Sequence, residues 1–359
     1  MKKRIGIITY HRSYNYGSVL QAYALSRYLS KDHDVKVIDF IQTKDFKQYR
    51  LVRIYRKNTL KRLLEDIKDL KRNKKRKESF QNFVEKYIPL TKCTYKNIQK
   101  MNELNNEFDV FICGSDQIWN PACTNGPEPA FYLQFADPDK NKVAYAPSIA
   151  HIDIDDKYKE NMKKYINYLD HISIREQSSE PLMKELTNKK VTVASDPTLL
   201  LDSKDYELIT SSINSTPFIF VYMLEYSEEL IKYAANLSSK TGKKIYYISK
   251  ENRPEYNNGE NLYGCSPEEF LGLIKDAEYV VTNSFHATVF SVLFEKQFVT
   301  FKTKLSFARM TNLLNSIGLS ERIFTDDFDI DNTIYYPNAK ERLEKFKKSS
   351  KDFLKSSLS

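Results

Sequence analysis

The sequence predicts an α/β protein built from two doubly wound domains with parallel sheets, on three observations. Short apolar runs rich in β-branched and aromatic residues recur along the chain and end in small polar residues. Stretches with helical apolar spacing separate them, which is the β-loop-α-β order of a parallel sheet. At 359 residues the chain is long for a single core, so two domains are expected.

Arg4–Thr9 reads as a buried first strand, followed by a polar turn over Tyr10–Ser18. Leu20, Tyr23, Ala24, Tyr28 and Leu29 keep helix spacing over Val19–Leu29, and Val35–Phe40 is a second strand. Gly17 is the only glycine in the turn, so the three-glycine dinucleotide fingerprint is absent. Asn15 and Gly17 lie where this sheet meets a helix N-terminus, either as substrate contacts or as a plain tight turn. Lys44–Tyr87 reads as a helical excursion. Leu60, Leu63, Leu64, Ile67 and Leu70 keep the spacing, and Phe80, Phe83 and Tyr87 resume it.

The formal net charge is +9, and it is concentrated in this excursion. Residues 44–79 hold fifteen Lys/Arg against five Asp/Glu, an excess of +10, and the rest of the chain is close to neutral. The favoured reading is a solvated helix with its charges outward. The second is attraction of Lys71–Lys77 to an anionic membrane surface, worth about 1 kcal/mol per nearby Lys or Arg. No nucleic-acid partner is expected, because no aromatic or base-reading pattern accompanies the charge. No apolar run approaches the roughly 20 residues of a membrane span, and the stretch before His11 is too short for a signal peptide. Cys93, Cys113, Cys123 and Cys265 form no CxxC pair and the five His are scattered, so no metal site is expected. These features point to a reduced cytoplasmic setting, at most peripheral at the inner face of a membrane.

Phe108–Ile112 is a strong strand that runs into Cys113–Pro121. Gly114 permits close backbone approach, and Ser115, Asp116 and Gln117 follow it at the strand exit. Trp119 reads as a loop anchor or, alternatively, as a stacking platform for a sugar. Lys142–Ile149 is the next strand, with Pro147 and Ser148 at its exit. Ile172–Glu176 alternates like a strand up to Arg175. A guanidinium there is costly unless paired. It either pairs with Glu176 or Asp196 or grips a carboxylate or phosphate in bidentate fashion, and the grip is preferred because several strands end in polar loops. Val191–Ala194 leads to Asp196, a candidate base or a turn former.

Leu199–Thr216 is polar and Ser-rich and reads as a linker, which places the first domain over 1–203 and the second over 204–335. The second series runs strand Phe218–Met223, helix Ser227–Ser239, strand Lys244–Ile248 and helix Pro267–Ala277. It continues with strand Tyr279–Val281, a turn at Thr282–Ser284 and a helix from Ala287. Tyr222 and Glu225 are placed at the edge of this sheet that faces the first domain. The stretch Asn283-Ser284-Phe285-His286 puts an imidazole at the carboxyl end of a strand, beside the positive end of a helix. Anion binding or acid/base work by His286 is preferred over a core histidine, because ligands of open α/β sheets bind there. Phe298–Phe301 is one more strand, Ala308–Ile317 a helix, and the segment 336–359 a last helix that could pack across the domains.

Taken together and in this order, six segments resemble the polysaccharide pyruvyl transferase family. They are Asn15–Ala22, Gly114–Pro121, Ala144–Ser148, Ser173–Glu176, Asp196–Thr198 and Thr282–His286. The family's last motif usually continues with Gly, where this chain has Ala287. The resemblance implies a GT-B-like fold, two Rossmann-like domains facing a cleft. It implies transfer of a pyruvyl unit from phosphoenolpyruvate to two hydroxyls of a cell-surface polysaccharide sugar or its precursor. The products are a cyclic ketal and phosphate. No cofactor is implied beyond phosphoenolpyruvate as donor, and the acceptor sugar is free, nucleotide-linked or lipid-linked. The family's donor-binding Arg maps onto Arg175 and its essential His onto His286. On this reading Asp116 or Asp196 helps deprotonate the sugar, and Asn15, Gly17, Gly114, Ser115, Gln117, Trp119, Asn283, Ser284 and Phe285 line the substrates. Two alternatives remain. One is a nucleotide-sugar glycosyltransferase with Glu225 or Glu268 on the uridine. The other is a non-catalytic glycan- or lipid-binding protein attached through Lys71–Lys77.

Overall fold

The structure is a computed structural model that describes residues 2–42, 70–150, 154–213, 216–303 and 307–359. Contacts divide the chain into two compact units: Met1–Lys68, Gln81–Leu200 and Lys347–Ser359 in the first, and Asp69–Phe80 with Leu201–Phe346 in the second.

Among the described residues the first unit holds seven strands: β1 (Arg4–Ile8), β2 (Asp34–Phe40), β3 (Leu90–Tyr95), β4 (Val110–Cys113), β5 (Asn141–Ala144), β6 (His171–Ile174) and β7 (Val191–Val193). Their order is β3-β2-β1-β4-β5-β6-β7, and every pairing is parallel. Strands covered on both faces read as continuous apolar runs, and β4, with sequence VFIC, is buried at every position. Helices α1 (Tyr16–Leu29), α2 (Leu70–Tyr87), α3 (Asp156–Tyr168) and α4 (Glu180–Leu186) join these strands. The second unit holds β8 (Ile219–Tyr222), β9 (Ile245–Ile248), β10 (Glu260–Asn261), β11 (Tyr279–Thr282) and β12 (Gln297–Thr300). It is also fully parallel, in the order β10-β9-β8-β11-β12. Its helices are α5 (Glu228–Thr241), α6 (Pro267–Asp276), α7 (Phe285–Leu293) and α8 (Phe307–Ile317), and α9 (Tyr336–Ser357) closes the chain. Strand order reverses between β1 and β4 in one sheet and between β8 and β11 in the other. Those reversals are the switch points at which doubly wound sheets receive ligands.

Several elements depart from expectation. The stretch 199–216 is not a free linker in its described part: Leu199, Leu200, Leu201 and Tyr206 are buried. The Tyr206 ring stands edge-on to Phe290, centroids 5.0 Å apart. Its serines made it look solvated, but its apolar residues are spaced to pack. Helix α9, expected as a last helix that could pack across the domains, is divided between the units, with Lys347–Ser359 in the first, where Ser350 Oγ accepts a hydrogen bond from the Ser195 N–H at 2.7 Å. Of the basic excursion, Leu60, Leu63, Leu64 and Ile67 lie outside the described residues. The run Lys71–Lys77 is not uniformly solvated. Arg72 and Arg76, one helical turn apart, both stand over the Tyr263 ring at 5.3 and 4.9 Å. Arg76 Nη1 also donates to the Tyr263 carbonyl at 2.9 Å. Lys71, Lys74 and Lys75 remain as exposed charges on that helix. Among the described residues, no helix is long and apolar enough to cross a membrane.

The loop between β1 and α1 is latched to the end of β2. Asp39, 3% exposed, accepts from Arg12 Nε at 2.5 Å, Arg12 Nη2 at 2.7 Å and Thr94 Oγ1 at 2.5 Å. His11 is held between the Asp39 carboxylate and the Thr9 carbonyl, each 3.0 Å from a ring nitrogen. Burial by itself pushes the Asp39 carboxyl up. The hydrogen bonds from His11, Arg12 and Thr94 outweigh it and hold the group far below the usual carboxylate range.

Two outcomes follow. A carboxylate with a depressed folded-state pKa stabilises the fold above its ordinary value of 3.8, and that contribution is lost as the pH falls below it. The urea midpoint should therefore drop below about pH 4, and Asp39→Asn should flatten that dependence. Within α6, a Cβ on Gly272 would sit 1.8 Å from the Ser211 carbonyl oxygen. Gly272→Ala improves helix propensity by about 1 kcal/mol, but the backbone clash should win. We expect a net loss of about 1–3 kcal/mol in equilibrium denaturation.

Candidate functional site

In the first unit the switch point is built from the β1–α1 loop and the exit of β4. Asn15, exposed, caps α1: its Oδ1 accepts from the Gly17 N–H at 2.9 Å. Gly114, with φ +119°, lies so close to the next strand exit that a Cβ would meet the Tyr145 carbonyl oxygen at 2.0 Å. That contact explains the glycine. The loop then aims Asp116, itself at φ +65°. Ser18 Oγ donates to Asp116 Oδ2 at 2.5 Å, and the Gln117 N–H donates to Oδ1 at 2.8 Å. Ser115 is fully buried, its hydroxyl spent on the Ala146 carbonyl at 2.6 Å. Gln117 Oε1 accepts from Asn120 Nδ2 at 2.8 Å.

Trp119 is 1% exposed, stacked on Tyr132 at 5.0 Å, with its N–H on the Phe131 carbonyl at 3.0 Å. These surroundings fit the loop anchor and leave no ring face for stacking a sugar. Gln21, quoted in the first motif without a role, joins both loops. Its Nε2 lies 2.9 Å from Thr9 Oγ1 and 2.9 Å from the Ser18 carbonyl, and its Oε1 accepts from the Ser115 N–H at 3.1 Å.

Along the same sheet edge, β6 and β7 deliver a buried charge cluster. Arg175 Nη1 donates to Asp196 Oδ2 at 2.7 Å, and Nε donates to Glu176 Oε1 at 3.2 Å. The ion pair, set second in the sequence reading, is the arrangement found, with both acids at once. Burial disfavours the charge on Arg175, but attraction from Glu176, Asp196 and Asp116 outweighs it and raises the guanidinium pKa. Asp196 is 1% exposed, and its other oxygen accepts from the Thr198 N–H at 3.0 Å and hydroxyl at 2.7 Å. Both its oxygens are thus engaged, as are those of Asp116. Glu176 Oε1 also accepts from Ser148 Oγ at 2.5 Å. Asp116, 8% exposed, is the other acid of the cluster.

In the second unit the switch point is the β8–α5 loop together with the exit of β11. Thr282 Oγ1 donates to the Tyr222 carbonyl at 2.6 Å. Asn283, 1% exposed, accepts from the Leu224 N–H at 2.7 Å and donates to the Glu225 carbonyl at 2.6 Å. Asn283 thus holds the neighbouring loop. Ser284 caps α7, its Oγ accepting from the Ala287 N–H at 3.4 Å. His286, half-buried in the first turn of α7, stands edge-on to Phe285 with centroids 5.2 Å apart. Arg309 of α8, not singled out from the sequence, lies 5.6 Å from the Phe285 ring. A helix N-terminus with an imidazole in its first turn and a guanidinium nearby is suited to an anion. Among the described residues, no group of three or more His, Cys, Asp or Glu gathers to hold a metal ion.

Comparison with curated proteins returns no match. Among solved structures, the chain is similar to the UDP-GlcNAc 2-epimerase of Neisseria meningitidis, at 11% identity and a TM-score of 0.52 over 100% of both chains. It is also similar to a Listeria monocytogenes protein described as a UDP-N-acetylglucosamine 2-epimerase, at 10% identity and a TM-score of 0.51 over 98% of this chain and 90% of that one. At such identity the likeness is one of fold, and the fold is GT-B-like, with two Rossmann-like units. The family model for polysaccharide pyruvyl transferase matches residues 15–304, from the cap of α1 to beyond β12, and the chain belongs to that family.

Proposed function

We propose that the protein transfers a pyruvyl unit from phosphoenolpyruvate to two hydroxyls of a sugar of a cell-surface polysaccharide or its precursor. The observation that carries this reading is the N-terminus of α7, where His286 and Arg309 accompany a capped first turn. A small dianion such as phosphoenolpyruvate needs that environment.

The chemistry assigns roles to the chain's own groups. A proton adds to the terminal methylene carbon of phosphoenolpyruvate, and the enol carbon becomes electrophilic. One sugar hydroxyl attacks that carbon and gives up its proton to a base. The carbon–oxygen bond to phosphate breaks, and the second hydroxyl closes the ring and loses its proton. The products are the ketal and phosphate. His286 steadies the phosphate or supplies the proton. Asp116 or Asp196 is the base; both acids are engaged by the protein, Asp116 with Ser18 and the Gln117 N–H, Asp196 with Arg175 and Thr198. Arg175 supplies the cation for the donor carboxylate and would exchange a protein carboxylate to do so. Asn15, Gly17, Gly114, Ser115, Gln117, Asn283, Ser284 and Phe285 line the substrates in this proposal, and Asn15, Ser115, Gln117, Asn283 and Ser284 also hold the loops through the bonds described above.

The test is phosphate release from phosphoenolpyruvate across a panel of sugar acceptors. Acceptor-dependent release is expected, and His286→Ala should reduce it by about a hundredfold or more, the scale of a lost acid/base group. Full turnover by His286→Ala would remove the assignment. Arg175→Ala leaves two buried carboxylates without their cation, and should cost about 3–5 kcal/mol in denaturant unfolding. Its activity is therefore to be read per folded molecule.

A further inference from the structure

Among the described residues five large apolar side chains are exposed, Leu70, Leu208, Leu224, Tyr226 and Tyr335, and two of them sit in the one short loop after β8. Leu224 is 51% exposed and Tyr226 is 69% exposed. Single exposed apolar residues need no explanation. This pair differs because the backbone beneath it is held. Asn283 spends both ends of its amide on Leu224 and Glu225, Thr282 ties the Tyr222 carbonyl, and the Ser227 N–H reaches the Met223 sulfur at 3.3 Å. The Tyr226 ring itself is steadied by the Arg253 guanidinium, 5.4 Å from its centroid. A rigid loop that presents an aromatic ring and a leucine to solvent at a sheet's switch point is a prepared surface.

We infer that Tyr226, flanked by Leu224, is the stacking platform for a hexopyranose ring of the acceptor. The inference rests on the proposed transfer. The donor is small and doubly anionic and gains nothing from exposed apolar surface. The other substrate has what this surface suits, a pyranose face of C–H groups that packs on an aromatic plane. The loop is bonded directly, through Asn283, to the β11 exit three residues before His286. Tyr226 acts by binding and takes no part in proton transfer.

Saturation-transfer NMR with the methyl glycosides of galactose, glucose and mannose, on the full chain, tests this directly. At least one glycoside should receive saturation at its ring protons from the wild type, lose it in Tyr226→Ala and keep it in Tyr226→Phe. In the phosphate-release assay, Tyr226→Ala should raise the acceptor KM about tenfold with no change in the KM for phosphoenolpyruvate. The exposure of Tyr226 means that the variant should fold, which its circular dichroism checks. Unchanged saturation in Tyr226→Ala, or none for any of the three glycosides with the wild type, overturns the inference. Tyrosine-dependent glycoside binding without phosphate release would instead sink the proposed reaction and leave the platform standing.

Discussion

A doubly wound sheet reverses its strand order once, and there two loops leave for opposite faces with backbone groups that neither strand can satisfy. Both units meet this constraint in the same way, with one buried side-chain amide bridging the two loops. Gln21 joins the β1–α1 loop to Ser115 in the first unit. Asn283 joins the β11 exit to Leu224 and Glu225 in the second. An amide carries a donor and an acceptor on one rigid plane, so it can serve both loops without a charge. The placement of Asp116 and Tyr226, and of His286 just beyond the β11 exit, depends on those loops being held.

The electrostatics follow the same economy. Among the described residues of the first unit, the buried Arg175 guanidinium is surrounded by carboxylates, with Glu176 and Asp196 in direct contact. Asp39 does the reverse, one buried carboxylate gathering Arg12, Thr94 and His11. In many doubly wound domains an acid at the end of the second strand meets a nucleotide ribose. Here Asp39 is occupied by the protein, in keeping with a loop that lacks the glycine fingerprint.

Much of this was legible in the residues because parallel strands buried on both faces must be continuous apolar runs. Ile5–Ile8, Phe111–Cys113 and Val280–Val281 could hardly read otherwise. His286 stood out because an imidazole after Asn-Ser at a strand exit is placed by local structure alone. The weak strands β3 and β10 were missed, since LTKCTY is half polar and β10 is only two residues long. The partners of Arg175 were named, but choosing between ion pair and ligand grip needs distances from Glu176 and Asp196. The Asp39 latch and the bridging by Gln21 depend on residues far apart in sequence, 55 positions for Asp39 and Thr94 and 94 for Gln21 and Ser115, and no local pattern announces them. Trp119 could be read either way until the stack on Tyr132 decided it.

The central claim is that a three-carbon unit leaves phosphoenolpyruvate and ends on a sugar. Mass spectrometry of the acceptor after incubation with the full chain and carbon-labelled phosphoenolpyruvate tests it most directly. The account expects an acceptor heavier by one labelled pyruvate less one water, with one phosphate freed for each acceptor changed. Labelled free pyruvate beside an unaltered acceptor would contradict it.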